Sequence, residues 1–298
     1  LEKERSSYME AILQTIISGL LTGSTYALIS VGIALIFGVV ELVNFSHGEY
    51  LMVAMYVSFW CYKLLDMDPY LSFPIVLVVM IVLGILTFKI IMQRVLHAPH
   101  EIQILATLSI MLIFQNLVLM LWKADYRNVR TDYTTSSINL GGLSISTPKL
   151  IAFLVAIAAA VGLYLFLQKT YTGSSIRAIS QNNRAAQLMG IKLNRTYCLA
   201  FTIGISFTAI AAAVLIPIYP AYPMVGQGFL LPAFITMVIG GMTNIPGVAV
   251  AGLIVGLIEA LTAYTIGPEY QQIAYFLLFL IVIIFKPQGI MSRRKEGV

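Results

Sequence analysis

The chain has 298 residues, of which 59% are apolar and only 10% are charged. Soluble domains carry about 45–50% apolar and about 25% charged residues, so a mean hydropathy of +0.89 indicates a membrane-embedded protein. The net charge of +5 comes from basic residues in loops and near the chain ends, which membrane topology alone requires, and therefore predicts no nucleic-acid partner. These figures exclude a secreted disulfide scaffold, a nucleic-acid module and most soluble enzymes.

Successive apolar runs predict an all-α, polytopic membrane protein with about eight transmembrane helices. The first run, Ala11–Val40, is longer than the roughly 20 residues that a bilayer needs, so we expect a helix that is tilted, broken or partly interfacial. Residues 1–8 are interpreted as a polar N-terminal extension, and residues 9–298 as a single transmembrane domain. The further clear runs are Leu71–Phe88, Ile102–Trp122, Leu150–Leu167, Thr196–Ile218, Val248–Ala263 and Ile273–Phe285.

Two polar segments interrupt the apolar pattern. Residues 44–49 read Asn-Phe-Ser-His-Gly-Glu, and residues 240–247 read Gly-Gly-Met-Thr-Asn-Ile-Pro-Gly. Each contains Asn followed by Gly and leads into another apolar run, which predicts two interrupted helices and an inverted repeat of the kind found in transporters. The apolar piece before the second interruption, Phe229–Ile239, is too short to span and predicts a half-helix. Two ordinary loops that contain turn residues are the alternative.

The interruptions supply the candidate solute path. Helices that start near Gly48 and Gly247 would direct their positive N-terminal ends toward a central cavity, where they could solvate a carboxylate. The predicted path residues are Asn44, Ser46, His47, Gly48, Glu49, Asn244 and Gly247. His47 and Glu49 could line the path or latch a gate, or they could pair with each other or lie among lipid headgroups. The two asparagines are also candidates for capping the helices that follow.

Other residues within the apolar runs predict helix packing. Glu259 lies where an unpaired carboxylate is costly, so we expect it to pair structurally or to reach the interface. Gln115 and Asn116 are expected to join two helices through hydrogen bonds. The Gly-x-x-x-Gly motifs at Gly19–Gly23 and Gly252–Gly256 predict close approach to a neighbouring helix or to a partner subunit.

Basic residues predict the orientation in the membrane. The loop 169–195 and the C-terminus are rich in Lys and Arg, and the loop has no carboxylate, so both are expected in the cytoplasm. Residues 123–148 and the turn Tyr219–Pro223 are then outside. The direction of the first apolar run stays open at this point.

The middle of the 169–195 loop predicts two short helices. Ser174 or Ser175 is a candidate cap for the first, Asn182 or Asn183 for the second, and Gly190 is a plausible terminator. Small and apolar side chains at a water-exposed place favour a helix that docks in a groove of a partner. The predicted docking residues are Arg177, Asn183, Arg184, Ala185, Ala186, Leu188, Met189 and Gly190. An interfacial helix whose arginines meet lipid phosphates is the alternative.

Motifs that would power or catalyse a reaction are missing from the sequence. It contains no Gly-Lys dipeptide, and therefore no P-loop, and no His-Glu-x-x-His motif. We therefore predict no catalytic, cofactor or metal site in this chain. Energy for transport is expected from a gradient or from a partner protein.

Five motifs in order resemble the permease subunits of branched-chain amino acid ABC importers, over essentially the whole length from Met9. They are Gly23–Leu28, Asn44–Glu49, Arg177-Ala178 with Ala185-Ala186 and Gly190-Ile191, Gly240–Gly247, and Lys286–Ile290. Ser46 stands where that family usually has Ala, and Thr243 where Gly is common. Because urea and short-amide permeases share much of this pattern, the resemblance leaves the substrate open.

The resemblance implies a transport subunit, not an enzyme, in the bacterial cytoplasmic (inner) membrane. Its implied partners are a second homologous permease, two ATPase subunits that bind ATP and magnesium, and a periplasmic or extracellular substrate-binding protein. The 169–195 loop is then the coupling helix seated on an ATPase. The expected substrate is a branched-chain or related small neutral amino acid. A urea or short-chain amide permease is the alternative within this class, and a gradient-driven secondary transporter is the alternative from another class.

Overall fold

The computed structural model describes residues 2–140 and 142–291. Among these residues, seven helices are long and apolar enough to cross a membrane, and Val225–Gly240 is a shorter apolar helix. The prediction of an all-α polytopic membrane protein is therefore confirmed, and seven candidate spans with one shorter apolar helix stand where about eight spans were predicted. The basic residues 293–295, which contributed to the predicted orientation, lie outside the described residues.

The elements follow one another with short connections. In chain order they are α1 (Glu2–Val40), α2 (His47–Leu65), α3 (Phe73–Thr87), a π-helical turn (Phe88–Met92), α4 (Gln93–Val95), α5 (His100–Trp122), β1 (Ser137–Leu140), β2 (Leu143–Ser146), α6 (Thr147–Lys169), α7 (Tyr171–Gln181), α8 (Asn183–Leu188), α9 (Leu193–Leu215), α10 (Val225–Gly240), α11 (Ile245–Thr265), a 3-10 turn (Pro268–Tyr270) and α12 (Gln271–Phe285). The strands β1 and β2 form an antiparallel hairpin.

The first apolar run belongs to one unbroken helix. Helix α1 has 39 residues, which corresponds to about 58 Å at 1.5 Å per residue. The alternative of a broken first helix is therefore wrong. Residues 2–8, which the sequence assigned to a polar N-terminal extension, continue the same helix. A helix that is longer than the bilayer is thick must tilt or project into water.

Helix α1 also defines the two sides of the molecule. The Gln14 Nε2 donates a hydrogen bond to the Ser144 carbonyl (2.6 Å), and the Ser144 amide donates to Gln14 Oε1 (3.0 Å). The early part of α1 therefore lies on the side of the β1–β2 hairpin, which we call the hairpin side. Helix α6 leads from this hairpin to α7 and α8. The opposite side, which carries α8, is called the α8 side, and α1 ends there.

The contacts between helices form an inverted repeat. The first half consists of α1, α2, α3 and α5, and the second half of α9, α10, α11 and α12. Helix α1 packs on α9, α10 and α11, while α9 packs correspondingly on α1, α2 and α3. Helices α2 and α10 contact each other. Helix α6 with α7 and α8 joins the two halves.

Two pairs of glycines lie where the halves meet. A Cβ on either Gly32 or Gly204 would lie 2.7 Å from the carbonyl oxygen of the other. Gly48 at the start of α2 meets Gly226 at the start of α10 in the same way. The sequence paired the first interruption with residues 240–247, and that pairing is wrong. The structural counterpart of the first interruption is the turn before α10. When the two halves are superposed by the symmetry of the repeat, Gly48 corresponds to Gly226.

The two Gly-x-x-x-Gly motifs pack against each other. A Cβ on Gly23 would lie 2.5 Å from the Gly252 carbonyl oxygen, and one on Gly19 would lie 2.8 Å from the Ala260 Cβ. The close approach predicted from these motifs therefore occurs between α1 and α11 within this chain. The two helices run antiparallel, because Gly38 near the end of α1 contacts Thr243 just before α11.

Candidate solute path and coupling surface

The first interruption returns the chain from the α8 side into the helix bundle. The His47 ring, at the start of α2, lies against Gly32. Gly32 is eight residues before the end of α1, which is about 12 Å along the helix axis. Residues 41–46 therefore carry non-helical backbone to well below the end of α1, and the prediction of an interrupted helix is confirmed at this position.

Local hydrogen bonds satisfy much of this non-helical backbone. Asn44 Oδ1 accepts from the Ser46 amide (3.1 Å) and the Ser46 hydroxyl (2.6 Å), and the Asn44 carbonyl accepts from the His47 amide (3.2 Å). The Thr107 hydroxyl of α5 donates to the Val43 carbonyl (3.3 Å). Non-helical backbone is tolerated in a membrane protein only where such partners replace water. Asn44 thus shapes the turn, while Ser46 occupies the N-cap position of α2.

His47 and Glu49 lie in the first turn of α2 with no solvent exposure. Gln115 Nε2 of α5 donates a 2.8 Å hydrogen bond to Glu49 Oε1. The other carboxylate oxygen of Glu49 and both ring nitrogens of His47 have no hydrogen-bonding partner of good geometry in the described chain. The expectation that Gln115 joins two helices is confirmed, whereas for Asn116 it is wrong, because the Asn116 side chain donates to the Leu112 carbonyl of its own helix. The alternatives in which His47 pairs with Glu49, or in which they lie among headgroups, are wrong.

The first interruption is closed in the conformation described, and its role in a solute path stays a prediction. Asn44, Ser46, His47 and Glu49 have no exposed surface, and Gly48 is covered by Gly226. A solute cannot touch these residues in the conformation described. The positive end of α2 meets the start of α10 where a central cavity was expected, because two glycines allow the backbones to touch.

The second interruption is a turn on the α8 side. Asn244 Oδ1 accepts from the Gly247 amide (3.2 Å) and caps α11, as the sequence predicted. Asn244 Nδ2 donates to the Met291 carbonyl (2.6 Å), and the Ile290 amide donates to the Ile239 carbonyl (2.7 Å). The returning C-terminal segment therefore covers the start of α11. Gly247 is covered by Gly240, Asn244 and Met291 in the conformation described, so its place beside a central cavity stays a prediction.

The loop between α6 and α9 contains the two predicted short helices. Thr170 caps α7 by accepting from the Gly173 amide (2.9 Å), so the expectation of a Ser174 or Ser175 cap is wrong. Asn182 caps α8 by accepting from the Ala185 amide (2.9 Å), as predicted. Gly190 ends this segment with φ +85°, a conformation that favours glycine.

The exposed face of α8 is smaller than the sequence predicted. Leu188 and Met189 are each 84% exposed, and Arg184, Ala185 and Gly190 are also exposed. Ala186 is buried within the chain at 4% exposure, so its predicted place on a docking surface is wrong. Ala186 belongs to the buried apolar cluster, so the face of α8 that carries it packs against the rest of the chain.

Arg177 is held by its own chain. Its guanidinium donates to Gln168 Oε1 at the end of α6 and to the Ser174 hydroxyl (3.3 Å). Arg177 therefore fixes α7 against α6, and it is less available to a partner than the sequence suggested. Asn183 is half-buried and is the first residue of α8.

Comparison with known proteins decides the family. The family model described as "branched-chain amino acid transport system / permease component" matches residues 15–284. The chain belongs to this family. It is a multi-pass transport subunit of the ABC permease class and not an enzyme.

Curated relatives of this permease match it over nearly their whole length. It is 30% identical to the high-affinity branched-chain amino acid permease BraD of Pseudomonas aeruginosa, with 94% of this chain and 96% of the relative covered. It is 28% identical to the corresponding permease LivH of Escherichia coli K12, with the same coverage. The probable permease LivH of Methanocaldococcus jannaschii is 25% identical, over 88% of this chain and 87% of the relative. No match to a solved structure was found.

On the hairpin side of the permease, aromatic residues tie two loops together. The Tyr133 hydroxyl donates to Asp68 Oδ2 (2.7 Å), and the Tyr133 ring stacks on that of Tyr70 at 5.1 Å between centroids. Burial raises the pKa of Tyr133, and burial together with the Asp68 carboxylate raises the pKa of Tyr70 to about 12. Both hydroxyls therefore stay protonated at neutral pH, and the Tyr133 hydroxyl keeps the proton that it donates to Asp68.

From the sequence, Gly226 was not identified, and the pairing of Glu259 was predicted without its partners. Gly226 was not selected, although the Gly-Gln pair at 226–227 parallels the Gly-Glu pair at 48–49. Glu259 is partly buried, and its carboxylate interacts with the Tyr26 hydroxyl of α1 and with Lys149 of α6. The expected structural pairing of Glu259 is thus present, but its partners lie on other helices.

Proposed function

We propose that this permease carries branched-chain aliphatic amino acids across the bacterial cytoplasmic membrane as one subunit of an ATP-driven importer. The observation that carries this proposal is the match of the family model to residues 15–284. The names of the full-length relatives, which describe high-affinity branched-chain amino acid transport, support the same substrate class.

The proposed importer contains a second homologous permease, two ATPase subunits and an external substrate-binding protein. The exposed Leu188 and Met189 at the end of α8 support an ATPase contact, because large apolar side chains that face water favour a partner surface. ATP and magnesium then bind in the ATPase subunits.

The α8 side is proposed to face the cytoplasm. Five basic residues and no carboxylate occur in the 169–195 loop on this side: Lys169, Arg177, Arg184, Lys192 and Arg195. The positive-inside rule then places the described C-terminal residues inside and the hairpin side outside. This assignment also gives the first helix a direction, with its start outside and its end in the cytoplasm.

Force from the ATPase is proposed to reach the bundle through α6 and α9. The Thr170 cap and the contact of Gly173 with the end of α6 join α7 to α6 with little free chain between them. Helix α9 begins five residues after the end of α8. Displacement of α8 would therefore move both helices that flank it, and α9 packs directly on α1 and α2.

Reconstitution of the assembled importer in proteoliposomes tests this function. The permease, its partner permease and the ATPases are reconstituted, and uptake of radiolabelled L-leucine is measured with the binding protein, ATP and magnesium. We expect uptake that stops when ATP is withheld. Uptake by this chain alone without ATP would instead identify a gradient-driven transporter, and uptake of urea without L-leucine would identify the amide or urea class.

A further inference from the structure

A cavity of about 550 Å³ lies on the hairpin side between α1, α6, α11 and α12. This volume is within the range of about 300–1,000 Å³ that is typical of small-molecule sites. Gln14, which bonds to the hairpin, contributes to the wall nearest that side. Toward the α8 side, the packing of Gly23 on Gly252 leaves no space between α1 and α11. The cavity is therefore a vestibule with a closed floor.

Two opposite charges face this vestibule from different helices. Glu259 projects from α11, and Lys149 projects from the first turn of α6. The remaining residues that line it in the described chain are uncharged. The Glu259 carboxylate interacts with the Tyr26 hydroxyl and with Lys149, while its Oε2 has no hydrogen-bonding partner among the described residues. Because a carboxylate inside a membrane protein is costly when it has few partners, an ammonium group at the cavity wall beside Glu259 would add a favourable interaction.

The other walls divide into a polar and an apolar part. Gln14, Thr15 and Ser18 of α1 supply amide and hydroxyl groups. On α11, Ala260 and Ala263 contribute only small apolar groups and leave room beside the charges. A site of this kind binds a ligand with a charged end and an aliphatic end, because fixed polar groups set the orientation and apolar walls receive the remainder.

We propose that this vestibule binds an α-amino acid as a zwitterion, with the ammonium on Glu259 and the carboxylate on Lys149. This inference rests on the proposed function and names the form of the substrate that the permease accepts on its outer side. A neutral urea or amide would offer no charge to either Glu259 or Lys149, and a simple amine or carboxylic acid would complement only one of the two. Opposite charges on separate helices thus favour a zwitterion over every other solute class considered above.

Protection of an introduced thiol from modification tests the proposal. Ser18→Cys is placed in a background with Cys61→Ser and Cys198→Ser, and a water-soluble maleimide is applied to the assembled complex. We expect saturating L-leucine to slow the reaction at least fivefold. Neither 3-methylbutylamine, which lacks the carboxylate, nor 4-methylpentanoate, which lacks the ammonium, should protect. In Glu259→Gln or Lys149→Gln, half-protection should need at least tenfold more L-leucine, because one charged partner is lost.

Glu101→Gln is the matched control, since Glu101 is an exposed carboxylate on α5 outside the cavity. It should leave protection unchanged. Assembly of each variant is checked by size-exclusion chromatography, and the Lys149 variant tests the proposal independently if the Glu259 variant does not assemble. If the complex imports L-leucine but L-leucine does not protect the introduced thiol, the vestibule site is refuted and the proposed function stands. The same holds if Glu259→Gln and Lys149→Gln are both protected at the same L-leucine concentration as the parent that carries the two native charges. A complex that imports urea and no L-leucine refutes the proposed function itself.

Discussion

At the scale of single residues, the start of α2 concentrates buried polar groups in an apolar bundle. Glu49 keeps one hydrogen bond, to Gln115, while His47 has none of good geometry in the described chain. The sequence identifies both as unusual because they are polar within an apolar stretch. It could not identify Gln115 as the partner of Glu49, because the two are 66 positions apart and depend on how α5 packs.

The Glu49–Gln115 hydrogen bond yields a prediction for stability. Gln115→Leu leaves a buried carboxylate without its donor, so we expect the free energy of unfolding to fall by about 1–3 kcal/mol. The measurement is the thermal unfolding midpoint of the purified permease in detergent. Asn116→Leu is the control, because Asn116 is exposed and bonds only to Leu112 of its own helix. Equal destabilisation by both changes would contradict this account.

At the scale of elements, the inverted repeat is the feature that the sequence described only in part. Hydropathy predicts the apolar helices and the short α10, because burial in lipid requires long apolar runs. The counterpart of the first interruption could not be read from turn residues, since Tyr219–Met224 and Asn44–Ser46 share no pattern. The Gly-Gln pair at 226–227 parallels the Gly-Glu pair at 48–49 over two residues only, and the contact between Gly48 and Gly226 identifies the two helix starts as equivalent.

The contact between Gly48 and Gly226 predicts that an added methyl group destabilises the protein at one position of α10 and not at another. In Gly226→Ala the new methyl group would overlap the backbone of Gly48, which has no flexible side chain to move aside. We expect a loss of about 1–3 kcal/mol in stability, or failure to assemble, because overpacking displaces backbone. Gly228→Ala, two residues further on, meets no atom within 4 Å. It should match or slightly exceed the parent in thermal stability, whereas a loss as large as that of Gly226→Ala would refute the explanation.

Asn244 combines two bonds that substitutions can separate. Asn244→Asp retains the oxygen that caps α11 but cannot donate to the Met291 carbonyl, while Asn244→Ala loses both bonds. We expect hydrogen–deuterium exchange at residues 286–291 to accelerate in both variants. Exchange at residues 245–248 should accelerate only in Asn244→Ala, with a loss of about 1 kcal/mol from the missing cap. Faster exchange at residues 245–248 in Asn244→Asp would contradict this division.

At the scale of the whole molecule, the two sides differ in what they offer to partners. The α8 side presents the short exposed helix α8, which follows α7, and α7 is anchored to α6 by Thr170 and Arg177. The sequence predicted both short helices there because of their caps and terminator. It assigned Ala186 and Arg177 to the docking surface, since neither the inward face of α8 nor the bond to Gln168 can be deduced from spacing alone.

Substitutions at the exposed end of α8 are expected to impair transport without lowering the stability of the permease. The double change Leu188→Ser with Met189→Ser removes apolar surface that is 84% exposed at each residue, so the stability of the isolated permease should not change. Co-purification of the ATPases and stimulated ATP hydrolysis should fall at least tenfold, because loss of central apolar contacts weakens an interface by about 2 kcal/mol or more. Leu64→Ser with Leu65→Ser, on the hairpin side, is the control and should retain both.

The meeting of Gly48 and Gly226 has a consequence for how this protein can vary. The atoms that would collide with an added methyl group are main-chain atoms, which every amino acid possesses. No exchange at one of the two positions can therefore make room for a larger residue at the other. Second-site rescue must come from movement of an entire helix, so the pair is expected to tolerate neither single nor reciprocal replacement.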